Sequence, residues 1–131
     1  MRKLLLDIQS KYKDNWDGAG AKQPNDLAIR RADIALDTIG TLKMEASKVV
    51  PSVESGIGIC FTNTEGRYAD LEIFNDGDAC LSMFLNGVEF LIEGVAPLGV
   101  ALTRWHMCQA INKINLFMHG LLDPALQQTA A

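Results

Sequence analysis

A four-stranded antiparallel meander with its helices on one face, in the order α-α-β-β-β-β-α, is the α+β architecture that this chain predicts. Apolar residues recur at helical spacing near both ends of the sequence. Between Val53 and Glu93 they recur at a spacing of two, and Asn63-Thr64-Glu65-Gly66, Asn75-Asp76-Gly77 and Asn86-Gly87 divide that stretch as hairpin turns would.

The first helix is predicted over residues 2–13, where Leu4, Leu5, Ile8 and Tyr12 share a face and the lysines point outward. A loop from Asp14 to Asn25 follows, holding Trp16, Asp17, Gly18 and Gly20. Two glycines and an Asp suit a sharp turn, and the indole supplies one large buried anchor, so the loop reads as structural. Pro24 and Asn25 signal a second helix with a small-residue face of Ala28, Ala32, Ala35, Ile39 and Leu42; Gly40 weakens its last turn, and Pro51 separates it from the sheet. Four strands then carry the alternating sets Ile57/Ile59/Phe61, Ala69/Leu71/Ile73, Ala79/Leu81/Met83/Leu85 and Val88/Phe90/Ile92. The last helix is expected from Leu98 to Leu122 with a core stripe of Leu98, Leu102, Trp105, Cys108, Ile111, Ile114 and Met118, closed by Gly120 and Pro124. Its remaining apolar residues exceed one buried face, so Met107 and Phe117 are assigned to self-association as a homodimer. Residues 1–123 are taken as a single domain and 124–131 as a frayed tail.

At 131 residues, 48% hydrophobic and 21% charged, the chain can bury a core of its own. Cys60, Cys80 and Cys108 are odd in number and widely spaced, as reduced core thiols of a cytoplasmic protein would be, unlike a disulfide framework or a zinc site. Asp7 interrupts the apolar opening, which predicts mature structure in place of a signal peptide, and no run is long enough for a membrane span.

Charge is distributed unevenly. Residues 1–53 carry a balance of +2, residues 54–94 one of −7 and residues 95–131 one of +1. Alternation turns Asp70, Glu72, Glu89 and Glu93 away from the helices. Such a face either keeps an antiparallel sheet wet or receives a positively charged partner, for instance a nucleic-acid-binding complex. Direct nucleic-acid binding by this face is disfavoured, because phosphate is repelled; Lys11, Lys13, Arg30 and Arg31 on the helices are the alternative contact.

No constellation for catalysis or cofactor binding emerges, and none is predicted. His106 and His119 stand about 140° apart around one helix axis, too far for a shared metal, and read as surface or helix-end residues. Cys108 lies two residues from His106, where side chains diverge. Asp76 and Asp78 lack the other ligands of a calcium loop, and Gly56-Ile57-Gly58 lacks the third glycine of a dinucleotide fingerprint.

Asn15-Trp16-Asp17-Gly18-Ala19-Gly20-Ala21, followed by Pro24 and an alanine-rich helix, resembles a group of small bacterial proteins carried on prophages and plasmids. The resemblance covers about the first 45 residues and loosely extends to the hairpins. It implies a fold and no catalytic residues, and its genomic company implies a part in the contest between mobile elements and host defence, such as inhibition of a nucleic-acid-targeting complex in the manner of an anti-CRISPR protein. That group tends to end with its sheet, whereas this chain adds the helix from Leu98. The expectation is therefore a non-enzymatic interaction protein that meets a basic partner through Asp70, Glu72, Glu89 and Glu93. The alternative is a toxin-antitoxin or regulatory component that contacts nucleic acid through its basic N-terminal helices.

Overall fold

The structure, a computed structural model, describes residues 2–122. The expected tail at 124–131, with Pro124, lies outside the described residues. Eight elements follow one another: α1 (Arg2–Lys11), α2 (Asp26–Thr41), β1 (Lys48–Ser52), β2 (Gly56–Thr62), β3 (Arg67–Phe74), β4 (Ala79–Leu85), β5 (Val88–Gly94) and α3 (Arg104–Met118). The strands form one antiparallel sheet in chain order. The class is α+β as expected, but the sheet has five strands where the spacing predicts four.

The additional strand is β1, Lys-Val-Val-Pro-Ser, in which Pro51 sits opposite Ile57. A proline is compatible with an edge strand, where one side of the backbone has no neighbour. Its hairpin to β2 turns through Ser55, at φ 74°, whose N–H donates to the Ser52 carbonyl at 3.0 Å. Gly56 follows where a Cβ would run into the backbone of Ile73 and Phe74 on β3. The other hairpins fall where their turn residues place them. Asn86 and Gly87 take φ values of 52° and 78° in a two-residue connection, the positive pair that matches strand twist.

Helix α2 starts at Asn25, whose side chain accepts from the Ala28 N–H at 2.9 Å, and it buries Ala28, Ala32, Ala35 and Ile39 as expected, with Ile29 and Leu36 besides. These residues, Leu5 and Ile8 of α1, and the inward sets Ile57/Ile59/Phe61, Ala69/Leu71/Ile73 and Ala79/Leu81/Met83 make one core. All three helices therefore share one face of the sheet.

Two expectations are corrected in the C-terminal third. Helix α3 begins six residues later than expected. Thr103 caps it, its hydroxyl accepting from the His106 N–H at 3.3 Å while His106 Nδ1 accepts from the Thr103 N–H at 3.1 Å; this reciprocal cap outweighs the apolar run ahead of it. The helix consequently turns Met107, Ala110, Ile111, Ile114 and Phe117 into the core, whereas Leu98 precedes it and is exposed, and Trp105 is 65% exposed. Met107 and Phe117, expected at a subunit contact, are thus core residues at 2% and 0% exposure. Arg67 seals the far end, its guanidinium 5.2 Å from the Phe117 ring and donating to the Phe117 carbonyl at 3.1 Å.

The second correction is on β5. Met83 faces Leu91 and Phe84 faces Glu89, so Phe90 is an extra residue. Such a bulge resets which side each later residue faces. Phe90 packs on Phe117, ring centroids 5.2 Å apart, and Glu93 sits opposite the buried Leu81, on the helix side. Ile92, expected inside, is 51% exposed on the other side.

Candidate protein-binding site

Register defines the face that carries no helix. Lys48, Val50 and Ser52 of β1, Gly58 and Cys60 of β2, Tyr68, Asp70, Glu72 and Phe74 of β3, Cys80, Ser82 and Phe84 of β4, and Glu89 and Ile92 of β5 all alternate with core-facing neighbours. Three of the four expected acids are here. Glu93 is not: it pairs with Lys113 of α3 at 2.6 Å, closing the helix side of the sheet.

The face is less wet than charge alone predicts. Tyr68 and Phe84 lie side by side with ring centroids 6.0 Å apart, and Cys60 and Ser52 are buried although no helix covers them. Gly58 leaves a gap in the middle. Over it opens a shallow cavity of about 220 Å³ walled by Val50, Pro51, Tyr68, Asp70 and Glu72. Both acids are half-buried, and each has one oxygen held by a hydroxyl: Tyr68 donates to Asp70 Oδ2 at 3.0 Å, and Ser52 donates to Glu72 Oε2 at 2.7 Å. Asp70 Oδ1 is buried and has no hydrogen-bond partner.

Burial raises the Asp70 carboxyl above the ordinary aspartate value, more than the Tyr68 hydrogen bond lowers it, and the Glu72 charge adds to the rise. Burial likewise raises the Tyr68 hydroxyl and the Cys60 and Cys80 thiols. These two cysteines, expected in the core, flank the acids on this face, while Cys108 is half-buried on α3; all three are free thiols. Raised thiols are poor nucleophiles at neutral pH.

The Trp16 loop is a self-bonded structural unit. Asp17 Oδ1 accepts from the N–H groups of Ala19 and Ala21 at 2.9 and 3.0 Å, and Asn15 Oδ1 from Gly20 at 2.8 Å; Gly18 and Gly20 take φ values of 73° and 93°. The Ala19 and Ala21 hydrogen bonds hold the Asp17 carboxyl below its usual range. Trp16 is half-buried, not fully buried as expected, with Tyr12 edge-on at 5.2 Å.

The four basic residues of the alternative reading do not form one surface unit. Lys11, Lys13 and Arg30 are exposed, but Arg31 is half-buried and donates to the Gly77 carbonyl, tying α2 to the β3–β4 turn. His106 closes the capping box of Thr103 at the start of α3, and His119 is the C-cap at its end. Among the described residues no group of three or more His, Cys, Asp or Glu is placed to hold a metal, and no helix is long and apolar enough to cross a membrane.

No family model, curated protein or solved structure matches the chain.

Proposed function

We propose that this protein is a non-enzymatic binding protein whose helix-free sheet face receives a basic protein partner. The observation that supports it most directly is the row Tyr68, Asp70, Glu72 on β3: two carboxylates on one side of one strand, half-sheltered, each steadied through a single oxygen. A sheltered carboxylate gains more from a cation than a fully hydrated one, because less solvent screening opposes the attraction. Arginine is the best complement, since its planar fork can reach neighbouring carboxylates while its face stacks on Tyr68 or Phe84. Glu89 extends the negative strip to the β5 side; Glu93 belongs to the fold instead.

A hexa-arginine peptide titrated into isotope-labelled protein tests this. Amide shifts centred on Tyr68, Asp70, Glu72 and Phe84 are expected. Asp70→Lys with Glu72→Lys is expected to weaken binding by about tenfold or more and to flatten its salt dependence, whereas the off-face pair Asp37→Lys with Glu45→Lys leaves it unchanged. Equal loss in both variants, or none in either, overturns the reading.

A further inference from the structure

The sheet has two edges, and they are built differently. The β1 edge carries a proline and Lys48, devices that blunt an edge against pairing. The β5 edge carries neither a proline nor a lysine; its bulge at Phe90 comes before the regular run Leu91–Gly94, and its inward Glu93 is neutralised by Lys113. The Val95 N–H donates to the Ala79 carbonyl at 2.9 Å, so in the antiparallel ladder Glu93 and Leu91, which share its phase, also point their backbone groups toward β4. Ile92 and Gly94, one residue out of phase, direct theirs away from the sheet, where no backbone hydrogen bond from another described residue meets them.

Beside this open edge, on the helix side, is a cavity of about 200 Å³ between sheet and α3, walled by Leu81, Glu93, Trp105, His106, Gln109 and Ala110. Trp105 stands at its rim with 65% of its surface exposed, a large apolar group that the phase of α3 leaves uncovered. An added strand needs these two things: unpaired backbone groups in a row, and a hole for every second side chain.

We infer that the β5 edge accepts an extended basic segment of the partner as a sixth strand, with an apolar side chain dropping between Trp105 and Leu81 and a lysine or arginine on the opposite side beside Glu89. The inference rests on the reading of a basic partner above and adds where that partner's backbone lies. Charge selects the occupant. A second copy of β5 brings no cation to Glu89, whereas a basic segment does; Glu93 is already paired with Lys113.

The test uses the soluble heptapeptide Lys-Val-Lys-Val-Lys-Val-Lys and the same peptide N-methylated throughout, which keeps charge and side chains but cannot pair as a strand. The first is expected to bind the whole chain and the second at least about tenfold more weakly, which is one decade in Kd. Hydrogen exchange at the Ile92 and Gly94 amides is expected to slow on binding. Ile92→Pro, which removes only an outward donor and an exposed side chain, is expected to lose binding with circular dichroism unchanged, and Trp105→Ala to lose on the order of 30-fold, the size of an aromatic hot spot. Absence of binding by the first peptide overturns the inference, as does equal binding of the two peptides. Binding without protection at Ile92 and Gly94 that Asp70→Lys with Glu72→Lys abolishes also overturns it, and leaves the sheet-face reading standing alone. Protection that rises with protein concentration in the absence of peptide assigns the edge to a second copy and overturns it too.

Discussion

Asn25 and Asn75 clasp one another, the Asn25 N–H donating to Asn75 Oδ1 at 2.9 Å and the Asn25 side-chain amide donating to the Asn75 carbonyl at 2.8 Å. The Asn75 side-chain amide reaches on to the Gln23 carbonyl at 2.9 Å. A turn residue of the sheet thus fixes the residue that caps α2, and through it the angle at which that helix crosses the strands. Asn75→Ala removes the two side-chain hydrogen bonds and is expected to cost about 1–3 kcal/mol, from a net of about 0.5–1.5 kcal/mol for each. Urea melts measure it; a loss under about 0.5 kcal/mol, the size of an ordinary surface change, would show that the cap does not depend on the turn.

Two glycines on β2 are expected to behave oppositely. At Gly56 a Cβ would lie 2.9 Å from the Ile73 carbonyl carbon and from the Phe74 Cα, whereas at Gly58 its nearest neighbour would be Val50 Cγ2 at 3.5 Å. Gly56→Ala is expected to destabilise by about 2 kcal/mol or more through strain and overpacking, and Gly58→Ala to be tolerated. Gly58→Ala also fills the floor of the cavity beside Asp70 and Glu72, so it is expected to weaken hexa-arginine binding in a folded protein. Calorimetric melting of the two variants decides the first point and the titration the second.

The core assignment of α3 predicts unequal costs for its aromatic residues. Phe117→Ala is expected to lose about 3–5 kcal/mol, because a fully buried ring leaves a cavity, while Trp105→Ala stays within about 1 kcal/mol of the unmodified protein. Guanidinium melts of the pair measure this. The reverse order would mean that α3 packs with the other phase, the one its sequence spacing predicts.

Asp70 gives the protein a pH dependence of definite sign. Burial raises its pKa above the unfolded value, so between the two values the folded state holds the proton more tightly. Its contribution to stability is therefore fully present below the unfolded value and is lost as pH rises through the raised one. The window opens at about pH 4, where an ordinary aspartate ionises. Asp70→Asn, whose side-chain oxygen can still accept from Tyr68, is expected to match the unmodified protein in acid and to exceed its stability increasingly toward neutral pH. A difference that shrinks as pH rises would contradict the burial of this carboxyl.

What the sequence made legible divides by physical cause. The three hairpin turns that link β2 through β5, the Asn25 cap and the alternation of β2, β3 and β4 depend on residues a few positions apart, and all were readable. Strand β1 was hidden because a proline usually separates elements, and only its place at an edge makes it tolerable. The phase of α3 was hidden because Leu98, Val100 and Leu102 extend an apolar pattern backward past the true cap at Thr103, and apolar spacing alone cannot say which stripe meets the sheet. Glu93 was misplaced by one bulge. A bulge shows only in the pairing of two strands, since Val-Glu-Phe-Leu-Ile-Glu reads as well in either phase. In the candidate site, Asp70, Glu72 and Glu89 could be placed by counting from turns, but the aromatic wall of Tyr68 and Phe84 and the gap at Gly58 required the register across three strands.

The order of the strands also bears on how the chain reaches this state. Each strand lies beside the one that precedes it in sequence, so the sheet can assemble hairpin by hairpin, with no strand waiting for a distant partner and little loop entropy lost at each closure. The long closures are confined to the helix layer, where α1 and α2 from the start of the chain meet α3 from its end over a surface the hairpins have already made. An amide in the β2–β3 hairpin is thus expected to become protected from exchange during refolding before one in α3, and the Arg67 to Phe117 contact, which joins the turn of that hairpin to the last helix, would be among the latest to form.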